Sequence, residues 1–312
     1  MNILLIAIAV MGFSGVPACL LSARSAAGQR ISTALMAVGS VSGLTGVAAI
    51  LAGHAEPSLI AVWGLPQSRF AVAVDPISAL FLIPVFIVPS LGSVYGLGYW
   101  KQSEHPANGG RVGLAYGLLA GAMALVVIAR DGLLFLIAWE VMAIAAYFAA
   151  AAEEDKPEVR KAGWIYLIAT HVGSLCLFAM FSCWRRATGS FLLETGHAFT
   201  AAMSGTVFVL ALIGFGFKAG LMPLHVWLPG AHANAPSHVS AVMSGVMLKM
   251  GVYGIVRMTA LLPAGQMWWG ALALVVGGVT SVAGIAFAIG QRDLKRLLAY
   301  SSIENIGIIA MG

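Results

Sequence analysis

The chain alternates long apolar runs with short polar breaks, and the runs have the length of membrane spans rather than of core helices. A helix needs about 20 mostly apolar residues to cross a bilayer. Runs of that kind fall near 2–22, 31–53, 76–98, 112–130, 132–152, 161–184, 204–230, 239–259 and 267–290, and another begins at about 297. The pattern predicts an all-α polytopic membrane protein of about 9–10 transmembrane helices. Almost no loop separates 112–130 from 132–152, so those two form a tight antiparallel hairpin. In the seventh run, Pro223 and Pro229 follow shortly after Lys218. Each removes a backbone donor and collides with the preceding turn, so the seventh helix is expected to break or kink just after the lysine. The final stretch, IENIGIIAMG (303–312), stops inside an apolar run with no polar cap, which is expected of a piece of a longer protein.

Composition supports lipid as the solvent. Of 312 residues, 60% are hydrophobic and 9% are charged, whereas a soluble domain carries about a quarter charged residues. The first run lacks a basic leader and is followed at once by another span, so it reads as a retained helix rather than a signal peptide. The small basic excess, 17 Lys and Arg against 12 Asp and Glu, is scattered among loops and gives no nucleic-acid footprint. Loops after odd-numbered helices hold Arg24, Arg30, Lys101, Arg111, Lys156, Arg160, Lys161, Arg292, Lys295 and Arg296; loops after even-numbered ones hold Arg69, Arg130, Arg185, Arg186 and Arg257. That asymmetry puts the odd loops in the cytoplasm and the N-terminus outside. Cys19, Cys176 and Cys183 lie in apolar runs without metal-ligand spacing and read as small hydrophobes.

Three charges lie near the middle of runs. Glu140 lies mid-helix in LLFLIAWEVMAIAAYF, Lys218 in VLALIGFGFKAGLMP and Lys249 in AVMSGVMLKMGVYGIV. A charge near the bilayer centre costs at least about 2.5–3.5 kcal/mol on insertion scales and marks function by default. Two cations and one anion at similar depth must pair or line a hydrated cavity. A structural Glu140–Lys218 ion pair is the plain alternative, but it leaves Lys249 without an anionic partner. Burial drives a lysine towards its neutral form and a nearby carboxylate pulls it back, which makes its protonation switchable. His225, His232 and His238 follow the proline break, with His171 in the sixth helix, and neutral imidazoles relay protons near pH 7. A zinc site is the competing idea for the three. Their spacings of 7 and 6 residues straddle prolines and lack a nearby Cys or carboxylate. His232 and His238 also fit a structural role, bonding loop carbonyls. Asp131 reads as a helix N-terminal charge facing water, Asp75 as the cap of the third helix, and Glu304 as a polar residue early in the tenth.

The segments FKAGLMPLHVWLPGAHANAPSHVSAVMSGVMLKMGVYG (217–254), DGLLFLIAWEVM (131–142) and RDLKRLLAYSSIENIG (292–307) resemble the antiporter-like, proton-translocating membrane subunits of respiratory complex I, Mrp antiporters and membrane-bound hydrogenases. IATHVGSLCLF (168–178), PSHVSAVMSGVMLK (236–249) and YSSIENIG (300–307) look most like the branch of hydrogenase-4 component B and formate hydrogenlyase subunit 3. The resemblance covers most of the chain from about residue 75 onward. It implies two inverted five-helix repeats, each with a broken helix. Residues 1–110 would precede the repeats, 111–260 would form the complete first one, and 261–312 would begin a truncated second.

Glu140, Lys218 and Lys249 match the family's fifth-, seventh- and eighth-helix charges, which act there as a relay for protons; His225, His232 and His238 look like positions drawn into its hydrated path. The implied setting is a bacterial inner membrane, with other membrane subunits and a peripheral hydrogenase or dehydrogenase arm as partners. No cofactor motif stands in this chain, so iron–sulfur and nickel–iron or quinone sites are expected on those partners. The rival readings are a structural membrane anchor without transport and a Na+/H+ antiporter subunit. Sodium prefers several oxygen ligands and Glu140 is the one clearly buried carboxylate in the pattern, which favours protons. An intramembrane enzyme would need a closely spaced nucleophile or metal set, and the pattern has none.

Overall fold

A computed structural model describes residues 1–22, 25–65, 67–195, 199–263 and 265–312; Arg24, one of the loop cations, lies outside the described residues. The first span is a bent pair, α1 (Asn2–Gly12) and α2 (Val16–Leu20), followed by α3 (Ala27–Leu51), α4 (Pro76–Tyr99), α5 (Gly109–Ile128), α6 (Gly132–Ala150), α7 (Pro157–Thr188) and α8 (Ala201–Ala219). After two short helices, α9 (Leu228–Asn234) and α10 (Ser237–Val242), a π-helical turn at Met243–Met247 leads into α11 (Leu248–Leu261), and α12 (Met267–Ile289) and α13 (Leu294–Met311) complete the order. Among the described residues, nine helical stretches are long and apolar enough to cross a membrane. The protein is an all-α, multi-pass membrane fold.

α5 and α6 form the hairpin expected from their missing loop. They carry the most buried of the spans, whereas α12 has its apolar flank open. The outward apolar side chains, such as Ile6, Val38, Leu175 and Val282, are what a lipid-facing surface requires.

One element departs from the helical pattern. The segment between the second and third spans folds into an antiparallel hairpin of β1 (Ser58–Val62) and β2 (Arg69–Ala73), in register Ser58 to Ala73 and Val62 to Arg69. It is tied to the α5–α6 turn, where the Arg130 amide donates to the Ala71 carbonyl at 2.8 Å. Asp131 explains why the hairpin sits there. Its carboxylate caps α6 by accepting from the amides of Leu133 and Leu134, and it also accepts from Ser68 Oγ at 2.7 Å and the Arg69 amide at 3.1 Å. The expected N-terminal charge facing water is therefore a cap, but a fully buried one, because the hairpin folds over it and saturates it with donors.

A second correction concerns Arg257. It is not a loop cation but lies inside α11, 7% exposed, with Nη1 2.5 Å and Nη2 2.8 Å from the carboxylate of Asp75. Asp75 also caps α4 by accepting from the Ser78 amide at 2.8 Å, the role its place before Pro76 predicts. Arg130 stands 3.3 Å from the same carboxylate, and both guanidinium groups donate to Ser78 Oγ. Tyr253 Oη accepts from Arg257 Nε and donates to the Val127 carbonyl, closing a network across α4, α5 and α11. Burial by itself raises the Asp75 carboxyl. The bonds from Arg257 and the Ser78 amide and the charges of both arginines overcome it and hold the carboxyl well below the usual carboxylate range.

Candidate functional site

The site forms where α6, α7 and α8 meet. The run expected as one span over 204–230 is helical only to Ala219. Gly220 takes the left-handed conformation (φ +82°), and a Cβ there would stand 2.6 Å from Leu228 Cδ1, so no other residue fits this turn well. Lys218 therefore sits in the last turn of α8 rather than at mid-helix, where a cation faces unpaired carbonyls and the negative end of the helix dipole. The connection is held from both sides. Trp227 Nε1 donates to the Phe217 carbonyl at 2.7 Å, and the Met222 amide donates to Thr280 Oγ1 of α12 at 3.0 Å.

Lys218 is 2% exposed. Its Nζ donates to Tyr166 Oη at 2.9 Å and lies 5.2 Å and 5.9 Å from the ring centres of Tyr166 and Trp139. Tyr166 in turn donates to the Ala143 carbonyl, three residues beyond Glu140 on α6. Among the described residues no ion pair joins Lys218 to Glu140. Glu140 Oε2 instead faces His171 Nε2 on α7 at 3.6 Å, and Oε1 is buried with no hydrogen-bond partner among the described residues. His171 Nδ1 contacts the Leu167 carbonyl at 2.8 Å. A carbonyl only accepts, so that nitrogen carries the hydrogen, and a bond between Nε2 and Glu140 needs one further proton on either partner. The site thus has a buried lysine bonded to a phenol, and a carboxyl group that faces an imidazole across 3.6 Å.

Lys249 is reached through the packing of α11 on α8. Gly251 makes that packing close: a Cβ there would meet the Phe215 carbonyl and the Ala219 amide at 2.6 Å. Lys249 Nζ donates to the Ser244 carbonyl at 2.6 Å. Ser244 belongs to the π-helical turn, whose widened backbone frees carbonyls from the regular ladder. Ser244 Oγ then bonds Ser302 Oγ of α13 at 2.7 Å. His232, 2% exposed, contacts Ser240 Oγ through Nδ1 at 2.8 Å, and both residues line a cavity of about 410 Å³ with Ser244, Lys295, Ser302 and Asn305. His225 lies in the connection after α8, 6.4 Å from the ring of Tyr300. His238 packs between Tyr99 and Tyr116, on the far side of α10 from this cavity. Among the described residues, no three His, Cys, Asp or Glu side chains converge as a metal site would require.

The structure thus brings Glu140 and Lys218 onto neighbouring helices, and His232 to one cavity with Ser244, the residue to which Lys249 donates; it does not gather the three histidines. Tyr166 and Trp139 are the residues the sequence pattern passes over. A Tyr hydroxyl in an apolar run needs a partner, and that requirement was the available signal for Tyr166. Asp131 is more buried than Glu140, whose side chain is 24% exposed, but every direction of its carboxylate is spent on structural donors.

Helices too apolar for water, long enough to cross a bilayer and packed around a few buried ionisable side chains, define a polytopic membrane protein. The chain belongs to the NADH:quinone oxidoreductase/Mrp antiporter transmembrane family, whose pattern matches residues 129–312. It is 34% identical over 266 residues to hydrogenase-4 component B of Escherichia coli K12, covering 83% of this chain and 39% of that protein. It is 30% identical over 247 residues to formate hydrogenlyase subunit 3 of the same organism, covering 78% and 38%. Its fold matches a chain of the Mrp complex of Dietzia sp. DQ12-45-1b with a TM-score of 0.85 at 23% identity, over 99% of this chain and 34% of that one. The chain spans about two fifths of the length of these curated relatives.

Proposed function

We propose that this chain moves protons across a bacterial inner membrane, N-terminus outside, as an antiporter-like subunit of a redox-driven assembly of the hydrogenase-4 or formate hydrogenlyase type. The observation that carries the reading is Lys218, a nearly fully buried ammonium whose hydrogen-bond partner is a neutral tyrosine. Such a cation is desolvated without direct neutralisation, so its proton is the one most readily moved by a change in a neighbouring charge. Glu140 is placed to be that neighbour. Protonation of the Glu140–His171 pair removes a negative charge near Lys218, and deprotonation restores it. Lys249, bonded to Ser244 on the cavity that His232 lines, is the next acceptor, and His225 and His238 extend the hydrated path. Membrane subunits and a peripheral arm with iron–sulfur and nickel–iron or quinone sites would supply the redox energy.

The test is proton pumping by membrane vesicles carrying the assembled complex with Glu140→Gln or Lys218→Met, with electron transfer followed in parallel and assembly checked on a native gel. Loss of pumping in assembled variants supports the relay. Normal pumping assigns the buried charges to structure and leaves the chain a membrane anchor. Pumping by the wild type that requires Na+ supports the antiporter reading instead.

A further inference from the structure

α12 and α13 pack as a stiff antiparallel hairpin. A Cβ on Gly284 would stand 2.8 Å from the Glu304 amide, and one on Gly307 would collide with the Ser281 amide, so the two backbones touch directly. Elements packed this closely transmit displacement rather than absorb it. Among the described residues, three hydrogen bonds join these two helices to the rest of the bundle, and each ends at a place where the chain has left the regular α-helix. Thr280 Oγ1, fully buried, spends its hydrogen on the Val276 carbonyl and accepts from the Met222 amide at 3.0 Å, in the connection four residues after Lys218. Ser302 Oγ spends its hydrogen on the Leu298 carbonyl, so Ser244 Oγ is the donor in their 2.7 Å bond. Ser244 lies in the π-helical turn, and its own carbonyl accepts from Lys249. Lys295 Nζ donates to the Ala235 carbonyl at 2.9 Å, at the break between α9 and α10, where Pro236 has no amide of its own. Backbone groups freed from a helix inside a membrane protein must find partners in protein or water. At the joints beside both lysines, the partner comes from this one stiff hairpin.

We propose that Thr280 and Ser302 are positioning residues: through them the α12–α13 hairpin holds the two backbone joints that aim Lys218 and Lys249, so that a shift of the hairpin moves both lysines together. Their effect on protons rests on the proton-moving reading of the chain. The hold itself does not, and that separates the two tests. Thr280→Val keeps the shape and removes the acceptor, and Thr280→Ser restores it; Ser302→Ala and Ser302→Thr form the second pair. In the assembled complex, hydrogen exchange of the Met222 amide, read by mass spectrometry on peptides spanning 220–226, should quicken about tenfold in Thr280→Val and keep the wild-type rate in Thr280→Ser. Proton pumping by vesicles should fall several-fold in Thr280→Val and Ser302→Ala, with assembly on a native gel unchanged, and recover in Thr280→Ser and Ser302→Thr. Should Thr280→Val fail to assemble, Ser302→Ala, at a less buried position, carries the pumping test. Unchanged exchange overturns the hold. Faster exchange with normal pumping, in a complex where Lys218→Met abolishes pumping, overturns the positioning role and leaves the relay standing. Normal pumping by Lys218→Met overturns the relay and the positioning role with it, whatever the exchange rate.

Discussion

Two clusters of charge lie in this bundle, and they are built on opposite principles. At the even-loop end, Asp75, Arg130 and Arg257 share direct ionic contacts, and Ser78 and Tyr253 take up the remaining donors. At the α6–α7–α8 junction, Lys218 rests on a phenol, while Glu140 keeps one oxygen unpartnered among the described residues and meets an imidazole at 3.6 Å. The first arrangement fixes its protons, since any change of charge strands a partner in a poorly hydrated place. The second leaves a carboxylate oxygen without a hydrogen-bond partner among the described residues. A charge that is fully satisfied holds helices together, and one that is partly satisfied is available for exchange.

The sharpest way to break the comparison is to neutralise one member of each cluster. Lys218→Met should reduce proton pumping to background while leaving helix assembly intact, because it removes a desolvated cation and strands no bonded counter-charge. Arg257→Met should do the reverse in kind: the complex should assemble poorly, with a loss of stability of about 2–3 kcal/mol, set below the fully buried range because Asp75 stays partly exposed and Arg130 remains beside it. Thermal melting in detergent and native gels read both. Equal losses of assembly in the two variants would erase the distinction.

Tyr166→Phe sharpens the comparison further by removing one hydroxyl. Lys218 then loses its hydrogen bond, about 1.5 kcal/mol for a charged donor, and pumping should fall about tenfold at constant assembly. Unchanged pumping would mean that the phenol merely fills space. The smallest effect belongs to Asp75 in acid. Its carboxyl is held below the ordinary value in the folded protein, so its stabilisation is complete above that ordinary value and is lost as pH falls through the depressed one. Melting temperature should therefore begin to fall below about pH 5 and keep falling as the pH approaches the depressed value, and Asp75→Asn should be less stable at neutral pH and flatter across that range.

The spans were legible because lipid imposes a length and an apolar content that few other structures meet. The helix α8 stops at Ala219, earlier than either Pro223 or Pro229, because Gly220 turns the chain first. The Glu140, Lys218 and Lys249 trio was visible as charge within apolar runs. Their partners were harder to see: the Tyr166 hydroxyl in an apolar run signals only that it needs some partner, and Trp139 and Ser244 carry nothing in sequence that sets them apart from packing residues. Arg257 misled for a related reason: near the end of an apolar run, a buried arginine and a loop arginine look alike until Asp75, 182 positions away in sequence, is seen against it. The β-hairpin was hidden because its two five-residue strands read as a polar break.

The π-helical turn before Lys249 sets the phase of everything after it. Were Met243–Met247 to relax into a continuous α-helix without losing a residue, the rest of that helix would rotate by about 100° and advance by about 1.5 Å. Lys249 would leave the Ser244 carbonyl, Gly251 would turn its bare face from α8, and Arg257 would swing off Asp75 together. The widened turn therefore keeps Lys249 and the ionic knot, about 12 Å apart along the helix, in alignment with two different neighbours.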